Sequence, residues 1–151
     1  MDISRLNLTR TESYLSFLQG YLEKLKAFAS LSKEDFLADK RNPAATESYL
    51  RRCLEAVFDL GRHILAKTYG FKELEDKKIA STLGEKGIVD PDFSRTLMKM
   101  AGYRNRMVHL YNEIGAEELY DVLQDHRSGI ERYMQEIRLF VKKYEQSNQS
   151  A

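Results

Sequence analysis

Eight consecutive residues, Arg104-Asn105-Arg106-Met107-Val108-His109-Leu110-Tyr111, gather permanent cations, an imidazole and a phenol into one short stretch. A guanidinium can neutralise phosphate oxygens two at a time, and an imidazole moves protons near neutral pH. A phenol is both a stacking surface and a nucleophile or modification site. Together these groups suggest phosphodiester chemistry.

Their spacing constrains how they meet. On an ideal helix Arg104 and His109 differ by about 140° of rotation and roughly 7.5 Å of rise, so they do not share a face. Convergence requires the helix to end near His109, the arginine to swing, or the motifs of two subunits to meet across a symmetry axis. Asn105 lies four residues before His109 and does share its face, where it can orient the imidazole or hold phosphate. Arg106 reads as a phosphate-positioning or solvated residue. Taken alone, His109 also fits a histidine at a helix C-terminus interacting with the dipole, and Arg104 fits a surface ion pair.

Arg-x4-His followed by x-Tyr, at the end of an amphipathic helix in a small helical chain, resembles the HEPN superfamily and, more closely, its HepT family. The helix from Tyr49 to His63 resembles that family's second long helix. The resemblance implies a dimeric, metal-independent ribonuclease that serves as the toxin of a toxin–antitoxin pair. Arg104 and His109 would be catalytic, and a minimal nucleotidyltransferase partner of the MntA type would attach AMP to Tyr111. Cleavage of RNA through its own 2′-hydroxyl needs a base, an acid and positive charge on the phosphorane. One protomer offers one motif histidine; two offer His109 twice and Arg104 twice. The competing reading is a non-catalytic helical dimer that binds a nucleotide or the nucleotidyltransferase, with Arg104 as the anion anchor.

The elements that must carry these residues follow from apolar periodicity, and they predict an all-α, up-and-down bundle of four main helices plus short helical segments, HEPN-like in architecture. Leu15, Leu18, Leu22 and Leu25 mark a first helix from about Asn7 to Phe28, and Ser32 with Asp35 marks a short capped turn. Asn42-Pro43 reads as the start of a long helix. Its stripe of Leu50, Cys53, Leu54, Val57, Leu60, Gly61, Ile64 and Leu65 ends at Gly70. Gly61 costs about 1 kcal/mol relative to alanine in mid-helix, which points to a close helix crossing. A segment over 77–85 leads to Asp90-Pro91, the start of the motif helix. That helix carries apolar residues on more than one stripe (Phe93, Leu97, Met100, Ala101, Met107, Val108) and so wants burial on two sides, either as the central helix of a monomer or against a partner subunit, and the resemblance implies the partner. A last helix opens at 115–118 and its apolar stripe runs to about Tyr144, giving a single domain over 1–146 and a polar tail over 147–151.

Asp59 and His63, four residues apart with Arg51 and Glu55 on the same row, read as an ion-pair ladder that could also support the cleft from behind. His126 falls in the last helix's apolar stripe. Dispersed histidines, one cysteine and no glycine-rich phosphate loop give no motif for a metal or cofactor. Cys53 reads as a small core residue, in keeping with a reducing cytoplasm. No run of apolar residues is long enough for a membrane span, and no signal-peptide pattern opens the chain. With 24 basic and 23 acidic residues, RNA binding must rest on local charge.

The resemblance makes Tyr111 the acceptor of AMP. Tyr111→Phe keeps the ring and removes the hydroxyl that would attack the nucleotide's α-phosphate, so co-expression with a cognate nucleotidyltransferase is expected to leave the variant unmodified by intact-mass spectrometry. Unchanged AMP addition would place the acceptor elsewhere.

Overall fold

The computed structural model describes residues 6–109 and 114–149, which form six α-helices and no strand. Helix α1 spans Leu8–Ala29, α2 Lys33–Ala38, α3 Arg41–Tyr69, α4 Asp76–Glu85, α5 Pro91–Val108 and α6 Ala116–Gln149. Three starts follow local chemistry. Asn7 caps α1 through Arg10 N, Ser32 caps α2 through Asp35 N, and Asp90 caps α5 through Asp92 N with Pro91 in the first turn. Gly70, at φ 75°, ends α3 in the left-handed conformation that glycine adopts without a steric penalty.

Two boundaries depart from the periodicity. Helix α3 begins at Arg41, ahead of Asn42, because Asp39 Oδ1 accepts the Arg41 backbone N–H at 2.9 Å. The Asn42 side chain instead donates to the Phe36 carbonyl at 3.3 Å and ties α2 to α3. Helix α6 runs to Gln149, past the end of its apolar stripe and into the stretch set apart as a tail. The domain boundary drawn at 146 is a division of the sequence, and the helix crosses it.

The long helices α1, α3, α5 and α6 make the bundle. Arg52 Nη1 donates to Tyr21 Oη, which sets α3 antiparallel to α1. Lys26–Glu131 and Glu12–Arg138 pairs set α6 antiparallel to α1 as well. Between them lies a core in which Leu18, Leu25, Leu50, Cys53, Leu54, Leu60, Ile64, Leu123, Ile130 and Ile137 are fully buried. The Tyr133 hydroxyl, also fully buried, donates to the Val57 carbonyl at 2.8 Å, and burial raises its pKa. The Cys53 thiol is pushed up to about 12 by the same desolvation, which keeps it protonated and inert.

The short helix α4 is wedged between α3 and α5. Gly61 makes the first contact possible: a Cβ there would lie 2.8 Å from Ile79 Cγ2 and 3.1 Å from Leu83 Cδ1. The close crossing expected from sequence is therefore real. On the other side a Cβ at Gly84 would lie 2.6 Å from Ser94 Cβ, while Ser94 Oγ donates to the Ala80 carbonyl at 2.8 Å.

Two alanine substitutions should therefore act with opposite signs. Gly84→Ala collides with a Cβ fixed to the α5 backbone, so an overpacking cost of roughly 1–3 kcal/mol exceeds the ~1 kcal/mol gained in helix propensity. Gly20→Ala, in α1 with nothing within 4 Å of the new methyl, gains the propensity term alone. Urea denaturation should show a lower midpoint for the first variant and a higher one for the second.

Candidate active site at the end of helix α5

Helix α5 stops at Val108, and His109 caps it with extended backbone at φ −100° and ψ 113°. The first geometric condition for bringing the motif together, a helix that ends at the histidine, is met. The exposed His109 borders a cavity of about 330 Å³ between the start of α3, the end of α5 and the start of α6, with Pro43, Glu47, Arg106 and Met107 among its walls. Leu110 and Tyr111 lie outside the described residues.

Arg104 is directed elsewhere. Its Nη1 lies 3.5 Å from Oδ2 of Asp76, at the start of α4. The carboxylate is nearly buried and shares its other oxygen with Arg62 Nη2 at 3.1 Å. Arg62 in turn donates to Asp59 at 2.8 Å through Nη1. Asp59, Arg62, Asp76 and Arg104 thus alternate in sign along one chain of contacts. The ladder read from sequence is corrected here: Asp59 is paired with Arg62, and the upper part of that row contributes Arg51, which contacts Glu47 and Glu55. His63 turns away into the contact with α1, where its imidazole hydrogen-bonds the Asn7 backbone. Burial and the nearby Arg10 and Lys67 lower its pKa.

Arg106 is engaged too. It meets Glu118 at the start of α6 with Nη1 at 3.1 Å and Nη2 at 2.6 Å, a two-toothed pair whose members are each about 40% exposed. Its guanidinium also lies 5.3 Å from the centre of the Tyr103 ring. Asn105 is half-buried beside these residues. On the same side, Lys77, Lys99, Tyr103 and Arg106 line a groove of about 830 Å³ against α6. His126 forms part of its wall, with its ring edge-on to Tyr103 at 5.2 Å. Among the described residues no group of histidine, cysteine and carboxylate side chains is placed to hold a metal ion.

The sequence did not reveal Asp76 as the anchor of Arg104, or Glu118 as that of Arg106. Neither stands at helical spacing from its partner. The acidic first turns of α4 and α6 were the available signal, and a first turn explains an acid without any partner on another helix.

Comparison with known proteins decides the family. The HepT-like ribonuclease family matches residues 18–137, most of the chain and all of the Arg104-to-His109 segment. The chain belongs to that family. It is 26% identical over 137 residues to the tRNA nuclease HepT of Aphanizomenon flos-aquae, covering 91% of this chain and 93% of that protein. It is 28% identical over 89 residues to the mRNA nuclease HepT of Shewanella oneidensis, covering 59% and 67%. A solved structure described as a toxin–antitoxin with AMP-PNP superposes with a TM-score of 0.75 at 20% identity, over 85% of this chain and 97% of that one. At that identity the superposition establishes the HEPN-like helical fold. No helix among the described residues is long and apolar enough to cross a membrane.

The buried imidazole at the groove gives this HepT-like domain a pH-dependent stability. His126 is lowered to about 4, mainly by desolvation. A histidine whose folded pKa lies below its unfolded 6.5 contributes stability that is complete at neutral pH and is lost as pH falls from about 6.5 toward 4. At ~1.36 kcal/mol per pH unit, that amounts to about 2 kcal/mol lost by pH 5. Denaturation at pH 7 and pH 5 should show the loss, and His126→Asn should reduce it; an equal loss in both proteins would assign it to other groups.

Proposed function

We propose that this HepT-like chain is the ribonuclease toxin of a toxin–antitoxin pair and cuts RNA without a metal, in a cleft that two protomers build around Arg104 and His109. What supports this reading is that the two motif groups have separate settings within one protomer: Asp76 holds Arg104 against α4, and His109 stands at the end of α5 beside the cavity lined by Glu47 and Arg106. A symmetric dimer supplies each of the two groups twice.

In such a cleft one His109 takes the proton of the ribose 2′-hydroxyl while its oxygen attacks phosphorus. The bond to the 5′-oxygen breaks, and that oxygen takes a proton from the second His109. The products are a 2′,3′-cyclic phosphate and a 5′-hydroxyl. Arg104, presented as a two-toothed donor, offsets the charge that gathers on the phosphorane oxygens. Asn105 orients the imidazole, and Arg106 holds an adjoining phosphate once Glu118 releases it. Relatives named for cutting tRNA and mRNA support RNA as the substrate class. A nucleotidyltransferase antitoxin would silence the cleft by attaching AMP to Tyr111, adding negative charge where RNA phosphate must lie. The complex described with AMP-PNP supports an adenine nucleotide in the control of this fold.

Purified protein is expected to have a dimer's mass by light scattering and to cleave RNA in the presence of EDTA. His109→Ala should reduce cleavage at least 100-fold, the lower range for a lost general acid–base group, with the helical circular dichroism unchanged. Arg104→Lys should stay defective, since an ammonium cannot reproduce the planar fork. Full cleavage by either variant would overturn the assignment.

A further inference from the structure

A second set of nucleic-acid-like chemistry lies on the other side of α3. Helix α1 presents Arg10, Tyr14, Phe17, Tyr21 and Lys24 along one face. The rings of Phe17 and Tyr21 pack with centroids 4.4 Å apart and planes tilted by 34°, and Phe17 is 40% exposed. Cations are interleaved with the rings. Arg10 Nη2 donates to Tyr14 Oη at 3.4 Å, Arg52 of α3 donates to Tyr21 Oη at 3.1 Å, and Lys24 Nζ stands 4.8 Å from the centre of the Tyr21 ring. Between α1 and α3 this face encloses a groove of about 350 Å³ floored by the buried Ala56.

We infer that this α1–α3 groove binds an unpaired nucleotide of the RNA, with the base stacked on Phe17 and Tyr14 and the flanking phosphates at Arg10 and Arg52. The inference rests on RNA being the substrate, as proposed above. Every base has a π-face, so an aromatic ridge flanked by cations takes single strands without reading sequence. The carboxylates at the groove's edge make their ion pairs outside it, Glu55 with Arg51 and Asp59 with Arg62, although Glu55 also lies near enough to Arg52 to favour its charge. In a chain of net charge +1, a local pairing of rings with cations is also how affinity for a polyanion must arise.

The test uses the full chain carrying His109→Ala, so that RNA is bound and not cut, with a fluorescein-labelled single-stranded oligoadenylate followed by anisotropy. Phe17→Ala is expected to weaken binding roughly five- to a hundredfold, and Phe17→Trp to restore it. Arg52→Ala should reduce the slope of log affinity against log salt by roughly 0.7, the value for one phosphate contact on a single strand. Phe17 is exposed, so its truncation opens no core cavity, and thermal melting checks the fold. Unchanged affinity in both Phe17→Ala and Arg52→Ala overturns the inference, as does absence of binding by the parent. A change of oligomeric mass in Phe17→Ala also overturns it, by making the face a subunit interface. Cleavage by the chain with His109 intact is measured separately. Cleavage with unaltered binding by the groove variants sinks the groove and leaves the ribonuclease standing, and the reverse pattern does the opposite.

Discussion

Helix α4 sits within van der Waals distance of two neighbours at once, and the position of Arg104 depends on that constraint. Side chains at Gly61 or Gly84 would push α4 away from α3 or α5. With both positions bare, the start of α4 reaches the level of Arg104, and Asp76 arrives there as a nearly buried carboxylate. Burying a carboxylate without a counter-charge is costly, and Arg62 and Arg104 together meet that cost. Packing of small residues thus becomes orientation of a guanidinium some distance away.

The two arginines of the motif are consequently held with different strength. Arg106 and Glu118 are both substantially exposed, and such pairs contribute only ~0–1 kcal/mol. Breaking that pair would cost little. Asp76 has no such freedom, because leaving it unpaired would strand a buried charge. Sharing between Arg62 and Arg104 eases this: Arg62 stays on Oδ1 at 3.1 Å while Arg104, at 3.5 Å from Oδ2, is the looser partner. Release of Arg104 would therefore leave Asp76 with a counter-charge.

Much of this was legible in the sequence. The stripe from Leu50 to Leu65 is buried at every apolar position, Gly61 marks a crossing, and Asp90-Pro91 and Gly70 mark ends, because each follows from local geometry that a few neighbouring residues determine. The start of α3 was misplaced for a related reason: Asn42 is a good cap in isolation, but Asp39 takes the role first and frees Asn42 to bridge to Phe36. The ion-pair row formed at Arg51 and Glu55 but not at its Asp59–His63 end. Helical spacing places Asp59 near His63, yet Arg62 lies between them with a longer reach and a permanent charge. Contacts between distant helices, Asp76 with Arg104 above all, have no periodic signature. The family resemblance drew attention to Arg104, and the structure shows what holds it.

The three histidines are placed differently, two of them buried and one exposed. His63 and His126 are both buried, and desolvation lowers both pKa values, so each remains neutral through the physiological range and is closed off from any large solute. His126 packs its ring edge-on against Tyr103. His109 stands where α5 gives out, exposed and on extended backbone. Ending the helix there puts His109 at the border of the cavity between α3, α5 and α6, while Arg104, a turn and a half earlier, is held on α4 by Asp76.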